Sequence, residues 1–384
     1  MTTTLAAEMG ALVVFGEHRY FGSSFPFEKE DAFKEGNNSY LTVENTMMDY
    51  VELIKYIKVK YDAQDKAVIT FGGSYGGMLA AWLRMKFPHV FQGALAASAP
   101  LVYFKDSTTA PEDEFSMIAT QDFNNTEVGP VCAEGIKYAL EQLNTSDSTS
   151  YDTMNSVFMP CDDITTPEQV YALTTYLSNG FLYMAMTDYP YESSFLQPMP
   201  GFPVNASCAA FSEFDPDHTS KSESWAMLKE ASDIYFNYTG QITCSNINDT
   251  DATGNLDGAG WNILACNQLA MPTSMGADSM FLTEPFNYTE YTAFCQATYG
   301  LTPNYEWALD NFGGYDYTKD FKSYTNIIFS NGELDPWRAG GVTSWTNIFT
   351  PQYVIKNAAH HLDLRLPVES DEGTDVAWVR MQEA

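Results

Sequence analysis

The stretch AVITFGGSYGGMLAAW, residues 67–82, constrains the fold more than any other part of the chain. A short apolar run ends in Gly72-Gly73-Ser74-Tyr75-Gly76, and a second apolar run follows without a break. A strand that turns into a helix through G-x-S-x-G presents its serine at the end of a sheet. Such a turn strains the serine's backbone, and side chains in place of the glycines would collide with neighbouring strands. Ser74 is therefore a candidate nucleophile. The backbone N–H of Tyr75, at the helix start, is a candidate oxyanion donor. The competing reading is a glycine-rich turn without chemistry.

The surrounding chain has the order such a turn requires. GALVVFGEHRYFG (10–22) reads as a buried strand, G-A-L-V-V-F, running into a loop. In residues 41–61, Met48, Tyr50, Val51, Ile54, Ile57 and Val59 recur near helical spacing, which predicts an amphipathic helix. KAVITFGG (66–73) reads as a buried strand, GGMLAAWLRMKFP (76–88) as a helix stopped before Pro88, and GALAASAPL (93–101) as a third strand. This alternation predicts an α/β fold with a parallel sheet and covering helices. Near residue 105 the chain becomes rich in Asn, Thr, Ser and Asp, with helical patches at 134–143, 167–178 and 223–236. The sheet pattern returns at NIIFS, before a polar loop, and again at YVI, before a loop with two histidines. The expected division is a first core part (1–104), an inserted, mainly helical domain (105–300) and a second core part (301–384).

A serine nucleophile needs a base, and the base needs an orienting acid, in the order Ser, Asp or Glu, His. There are five histidines. His18 precedes the serine, His89 closes the helix that follows it, and His218 lies in the inserted segment. His360 and His361 follow the last predicted strand, where the base belongs. Asp335 directly follows NIIFS in NGELDPW, with Glu333 as its nearest competitor and Pro336 to stiffen the turn. Asp310, Asp316 and Asp320 precede that strand, and Asp363 is too near the histidines. Met78, one helical turn past Ser74, and Trp337, two residues past Asp335, are candidates for lining a substrate pocket or for ordinary core packing. Glu17-His18-Arg19-Tyr20 would either bind a substrate terminus or hold loops together at the sheet edge. A pairing of Arg19 with an acid is the favoured reading.

Fifty acidic and 19 basic residues leave a net charge of −31. Such a chain lacks the basic surface that nucleic acid requires. It suits a soluble protein in an acidic or salty compartment. No apolar run approaches the roughly 18–20 residues of a membrane span. Six cysteines, Cys132, Cys161, Cys208, Cys244, Cys266 and Cys295, lie in the inserted segment without zinc spacing. An even set predicts disulfides rather than a metal site. Sequons at Asn37, Asn124, Asn144, Asn205, Asn237, Asn248 and Asn287 agree with a secretory-pathway protein. The first twenty residues do not read as a signal peptide. No cofactor is called for.

Five motifs in order, EHRYFG (17–22), GGSYGGMLAAWLRMKFP (72–88), GALAASAP (93–100), NIIFSNGELDPW (326–337) and AHHLDLR (359–365), resemble the serine carboxypeptidase S28 family. The likeness covers nearly the whole chain. It implies an α/β-hydrolase core with an inserted helical cap, acting on peptide bonds after proline, or after alanine in some members. It also implies acidic working conditions and a homodimer. Carried over residue by residue, it implies Ser74 as nucleophile, Asp335 as acid and His360 as base, with Met78 and Trp337 in the proline pocket. The implied disulfides are Cys132–Cys208, Cys161–Cys244 and Cys266–Cys295. Against the family pattern the resemblance starts near residue 5, after the place where relatives carry a signal peptide, the first strands and a G-N-E-G-type loop. The final helix also looks shortened. On that reading the chain is a partial copy lacking one oxyanion donor, a loss worth about 2.7–4 kcal/mol. An esterase or lipase on the same three residues is the alternative enzyme, and a catalytically impaired binding homologue the non-enzymatic one.

Overall fold

The computed structural model describes residues 5–248 and 258–384. Its centre is a four-stranded parallel sheet in the order β1 (Ile69–Gly73), β2 (Gly93–Ala97), β3 (Ile327–Gly332), β4 (Gln352–Ile355). The register runs Gly73↔Ala97 and Ala97↔Ser330, then Ser330↔Tyr353. The carboxyl ends of the strands thus come level along one edge. Parallel neighbours need crossover connections. That from β1 to β2 is α2 (Tyr75–Lys86), whose buried face includes Met78, Leu79 and Trp82. Ahead of the sheet, α1 (Val43–Lys60) is capped by the Thr42 side chain, which accepts from the Asn45 N–H. Its buried stripe is Val43, Met47 and Val51, at i, i+4 spacing, and Met48 and Val59 point outward. The helix is where periodicity put it: Tyr50, Val51 and Ile54 pack on the core as expected, whereas Met48 and Val59 do not.

Two expected strands behave differently. Residues 11–15 form no strand, and Leu12 and Phe15 are exposed, the latter 84%. An apolar run becomes a buried strand only where a ladder partner accepts it, and this run pairs with none among the described residues. β1 is a strand but not a buried one, because Ile69 and Phe71 share an open face. With Leu5, Met9, Leu95 and Ile328 they line an apolar groove of about 320 Å³.

Between β2 and β3 lies the helical segment: α3 (Glu114–Asn124), α4 (Pro130–Asn144), α5 (Tyr151–Phe158), α6 (Pro167–Met186), α7 (Pro203–Cys208), α8 (Lys221–Phe236), α9 (Gly258–Asn267) and α10 (Tyr288–Tyr299). Since β2 and β3 pair directly, this segment is an insertion into an α/β core, as in an α/β-hydrolase with a helical cap. One large cluster of buried residues spans core and cap and includes Met78 and Trp82 as well as Ile118, Phe123, Phe181 and Leu228. Three disulfides staple the cap, Cys132–Cys208, Cys161–Cys244 and Cys266–Cys295, the pairs that the resemblance implies. All seven sequon asparagines are exposed or half-buried. The sequon at Asn248 ends at Thr250, outside the described residues. No helix among the described residues is long and apolar enough to cross a membrane. After β4 the chain closes with α11 (Asp375–Glu383).

Candidate active site

Ser74 stands between the end of β1 and the first residue of α2, with φ 57° and ψ −128°. A non-glycine residue there carries strain of about 1–3 kcal/mol, held only by fixed surroundings. Those surroundings are visible. The Ser74 N–H donates to the Ala97 carbonyl at 2.9 Å, tying the turn to β2. A Cβ at Gly72 would overlap the Gly76 carbonyl, and one at Gly77 would come 2.9 Å from the Ala97 oxygen. Gly76 itself faces open space. The crowding expected across G-x-S-x-G therefore falls on Gly72 and Gly77 rather than on Gly76.

Asp335 follows β3 and His360 follows β4, both with no exposed surface. His360 Nδ1 lies 2.7 Å from Asp335 Oδ2. The other carboxylate oxygen accepts from the Trp337 N–H at 3.1 Å. The His360 backbone is held on both sides: its N–H donates to the Met186 carbonyl at 3.1 Å, and its carbonyl accepts from the Tyr189 hydroxyl at 3.1 Å. A carboxylate opposite Nδ1 places the ring proton there and leaves Nε2 as an acceptor. Nε2 is buried and has no hydrogen-bond partner among the described residues. The ring of His361, centred 4.4 Å from that of His360, lies 2.9 Å from where a Cβ on Gly73 would sit. His361 thus packs against the residue that precedes Ser74, and His360 packs against His361.

Two of the other histidines lie elsewhere. His89 is exposed, and His218 forms an exposed pair with Asp215 at 2.7 Å. Glu333 accepts from the Asn357 N–H, and Asp363 accepts from the Ser330 hydroxyl, so neither competes for His360. Met78 is wholly buried in α2. Trp337 is half-buried, edge-on to Phe115 at 4.8 Å, and its Nε1–H donates to the Met186 sulfur at 3.2 Å. Arg19 pairs with Asp49 through two contacts of 2.7 Å, as the favoured reading of that motif has it. Sequence reasoning missed Phe115, Met186 and Tyr189. They come from the cap, where no motif marks them.

A buried carboxylate–imidazole pair after β3 and β4 and a serine on a strained strand–helix turn after β1 stand at the carboxyl edge of one sheet, and these are the groups acyl transfer uses. The sequence matches the serine carboxypeptidase S28 family over residues 1–382. The chain belongs to the S28 family. It is therefore a serine-type peptidase, a hydrolase. Among curated proteins it is 41% identical to the lysosomal Pro-X carboxypeptidase of Bos taurus over 365 residues, covering 94% of this chain and 71% of that protein. The human lysosomal Pro-X carboxypeptidase is 39% identical over 366 residues, with the same coverage of both chains, 94% and 71%. The prolyl carboxy peptidase like protein 5 of Caenorhabditis elegans is 36% identical over 376 residues, covering 94% of this S28 chain and 73% of its own.

Proposed function

We propose that this S28 peptidase cleaves peptide bonds after proline through a serine acyl-enzyme. Ser74 is its nucleophile, His360 its base and Asp335 its orienting acid. The carrying observation is the Asp335–His360 pair at 2.7 Å with Nε2 left free, on the sheet whose first strand ends in a serine at φ 57°. Ser74 Oγ attacks the carbonyl carbon and its proton passes to His360 Nε2. The imidazolium is stabilised by Asp335 through Nδ1–H, and the oxyanion faces the Tyr75 N–H at the amino end of α2. On collapse His360 returns the proton to the leaving amine. Water then attacks the acyl carbon, with His360 again as base, and frees Ser74.

A proline ring is compact and apolar and carries no N–H, so its pocket should be apolar and close-fitting. Trp337, backed by Phe115 and Met186, supplies such a wall, with Met78 behind Ser74. The relatives named Pro-X carboxypeptidases favour removal of the residue after proline, and their lysosomal designation favours an acidic compartment. The cap is the insertion at about residues 105–300, and a second copy of the chain is the proposed partner besides peptides.

The test incubates the protein at about pH 5 with an N-blocked Pro-X peptide and with a free-amine X-Pro amide. Fluorophosphonate labelling runs alongside. The expected result is cleavage of the first substrate and labelling at Ser74, both abolished in S74A. Cleavage of the amide alone would make the enzyme a dipeptidyl peptidase. Hydrolysis of simple acyl esters without either peptide would replace the reading by an esterase. Absence of labelling would overturn it.

A further inference from the structure

We propose that His18 is a positioning residue of this site: its ring holds the Tyr75 side chain and thereby orients the Tyr75 backbone N–H toward the developing oxyanion. The proposal rests on the assignment of Ser74 and of the Tyr75 N–H above.

His18 Nδ1 lies 2.7 Å from the carbonyl of Arg19, and Nε2 lies 3.0 Å from the Tyr75 hydroxyl. A carbonyl oxygen only accepts, so Nδ1 carries the ring proton. In the neutral ring Nε2 then only accepts, and the Tyr75 hydroxyl donates to it. The loop that carries His18 is itself fixed. Arg19 bonds Asp49 twice and the carbonyls of Tyr40 and Asn45, while Glu17 accepts from the hydroxyl of Ser24 at 2.6 Å. Rings close the remaining sides, with Phe21 edge-on to His18 at 5.0 Å and Trp261 of α9 edge-on to Tyr75 at 5.5 Å.

Tyr75 has two ends with different tasks. Its N–H belongs to the strained peptide unit after Ser74, and its phenol is the lever by which that unit is held. The first residue of a helix has no intrahelical partner for its N–H, which leaves that donor free for an oxyanion. Its direction is fixed by Ser74 on one side and by the seat of the Tyr75 side chain on the other. His18 supplies that seat.

Protonation reverses the bond. With a proton on Nε2 both partners are donors, and the phenol must turn its hydrogen away within a partly buried site. Burial lowers the His18 pKa, with the Arg19 guanidinium acting the same way, and the Arg19 carbonyl and Asp49 act oppositely. Burial pushes the pKa of the Tyr75 phenol well up, and the charges of Tyr50 and Glu44 on α1 act in the same direction. The neutral ring is the form whose Nε2 accepts from the phenol.

The test compares H18A, H18Q and Y75F with the wild-type chain on an N-blocked Pro-X peptide, with a peptidyl-proline boronic acid as tetrahedral mimic. H18A and Y75F should each lower kcat by about 10- to 100-fold, the scale of a donor displaced by a fraction of an ångström to an ångström. KM should stay near wild type, and boronate affinity should fall by the same factor as kcat. The double variant should lose no more than either single one. H18Q, whose amide accepts the phenol proton, should restore most of kcat and make the acidic limb of the kcat profile shallower. Unchanged kcat and boronate affinity in H18A would overturn the proposal. So would a joint change of kcat and KM with a lowered melting temperature and no rescue in H18Q. A wild-type chain that neither cleaves nor labels fails the function reading as well, so the two failures are told apart by the wild type.

Discussion

His360 and His361 are adjacent in sequence but serve different surroundings. His360 offers Nδ1 to a buried carboxylate and keeps Nε2 free. His361 sits in the left-handed region at φ 42°, donates its N–H to the Ser98 hydroxyl and lies edge-on to Phe195. Burial, with His360 and Arg365 beside it, holds its pKa well below the ordinary histidine value, so it stays neutral. The carboxylate is what separates the two rings, and D335N tests it. An asparagine keeps an oxygen for the Trp337 N–H, so the turn should hold. Its amide donates to Nδ1, moves the ring proton to Nε2 and removes the acceptor that the proposed nucleophile, Ser74, would use. The rate of fluorophosphonate labelling and kcat should both fall by about 10⁴-fold with KM little changed. A loss of tenfold or less would remove Asp335 from the proposed relay.

The strands and helices that hold these side chains differ in how far the sequence announces them. β1, α2, β2 and β3 are short apolar runs closed by glycine or proline, β4 is one opened by Pro351, and each lies where pattern predicts. The 167–178 patch continues to Met186 as α6 because Gly180 is no break there: a Cβ would run into the Phe236 ring, so the missing side chain is the seat of α8. Residues 11–15 show the reverse case, since apolar character says nothing about whether a ladder partner exists. The cap's part of the site was illegible for another reason. Met186, Tyr189 and Phe115 reach His360 and Trp337 through tertiary packing of elements far apart in the chain. Three disulfides staple the same cap. Cys132–Cys208 closes a loop of 76 residues between α4 and α7, and the chain-entropy account assigns such a closure about 4 kcal/mol. The C132S/C208S double variant should shift the urea midpoint down by a corresponding amount. It should also reduce kcat, because α7 packs against the end of α6 that carries Met186. Loss of stability with untouched kcat would show that the cap's hold on His360 does not depend on that staple.

At the scale of the whole molecule, surface and interior favour the same conditions. A net charge of −31 repels itself at neutral pH, and acid relieves it by protonating carboxylates. Inside, Asp188 is buried after α6, with one oxygen accepting from the Val204 N–H at 3.0 Å, and burial pushes its pKa up to about 7. Asp122 is raised in the same direction by burial and then by Asp188, and one of its oxygens has no partner. The sign follows from linkage. A carboxyl whose folded pKa lies above its unfolded value holds its proton more tightly in the folded state. Its stabilisation is complete below the unfolded value and is lost as pH rises through the folded one. For Asp188 that window runs from the ordinary carboxylate range to about 7. The melting temperature should therefore be higher at about pH 5 than at about pH 8. Salt separates the two contributions, because it screens exposed charges at distances near 10 Å and leaves buried ones almost untouched. Added salt at the higher pH should recover the surface part only. D188N, which keeps the acceptor for Val204, should recover the remainder and flatten the profile between the two pH values. If salt alone restores the acidic melting temperature, the buried carboxyls have no part in the pH response.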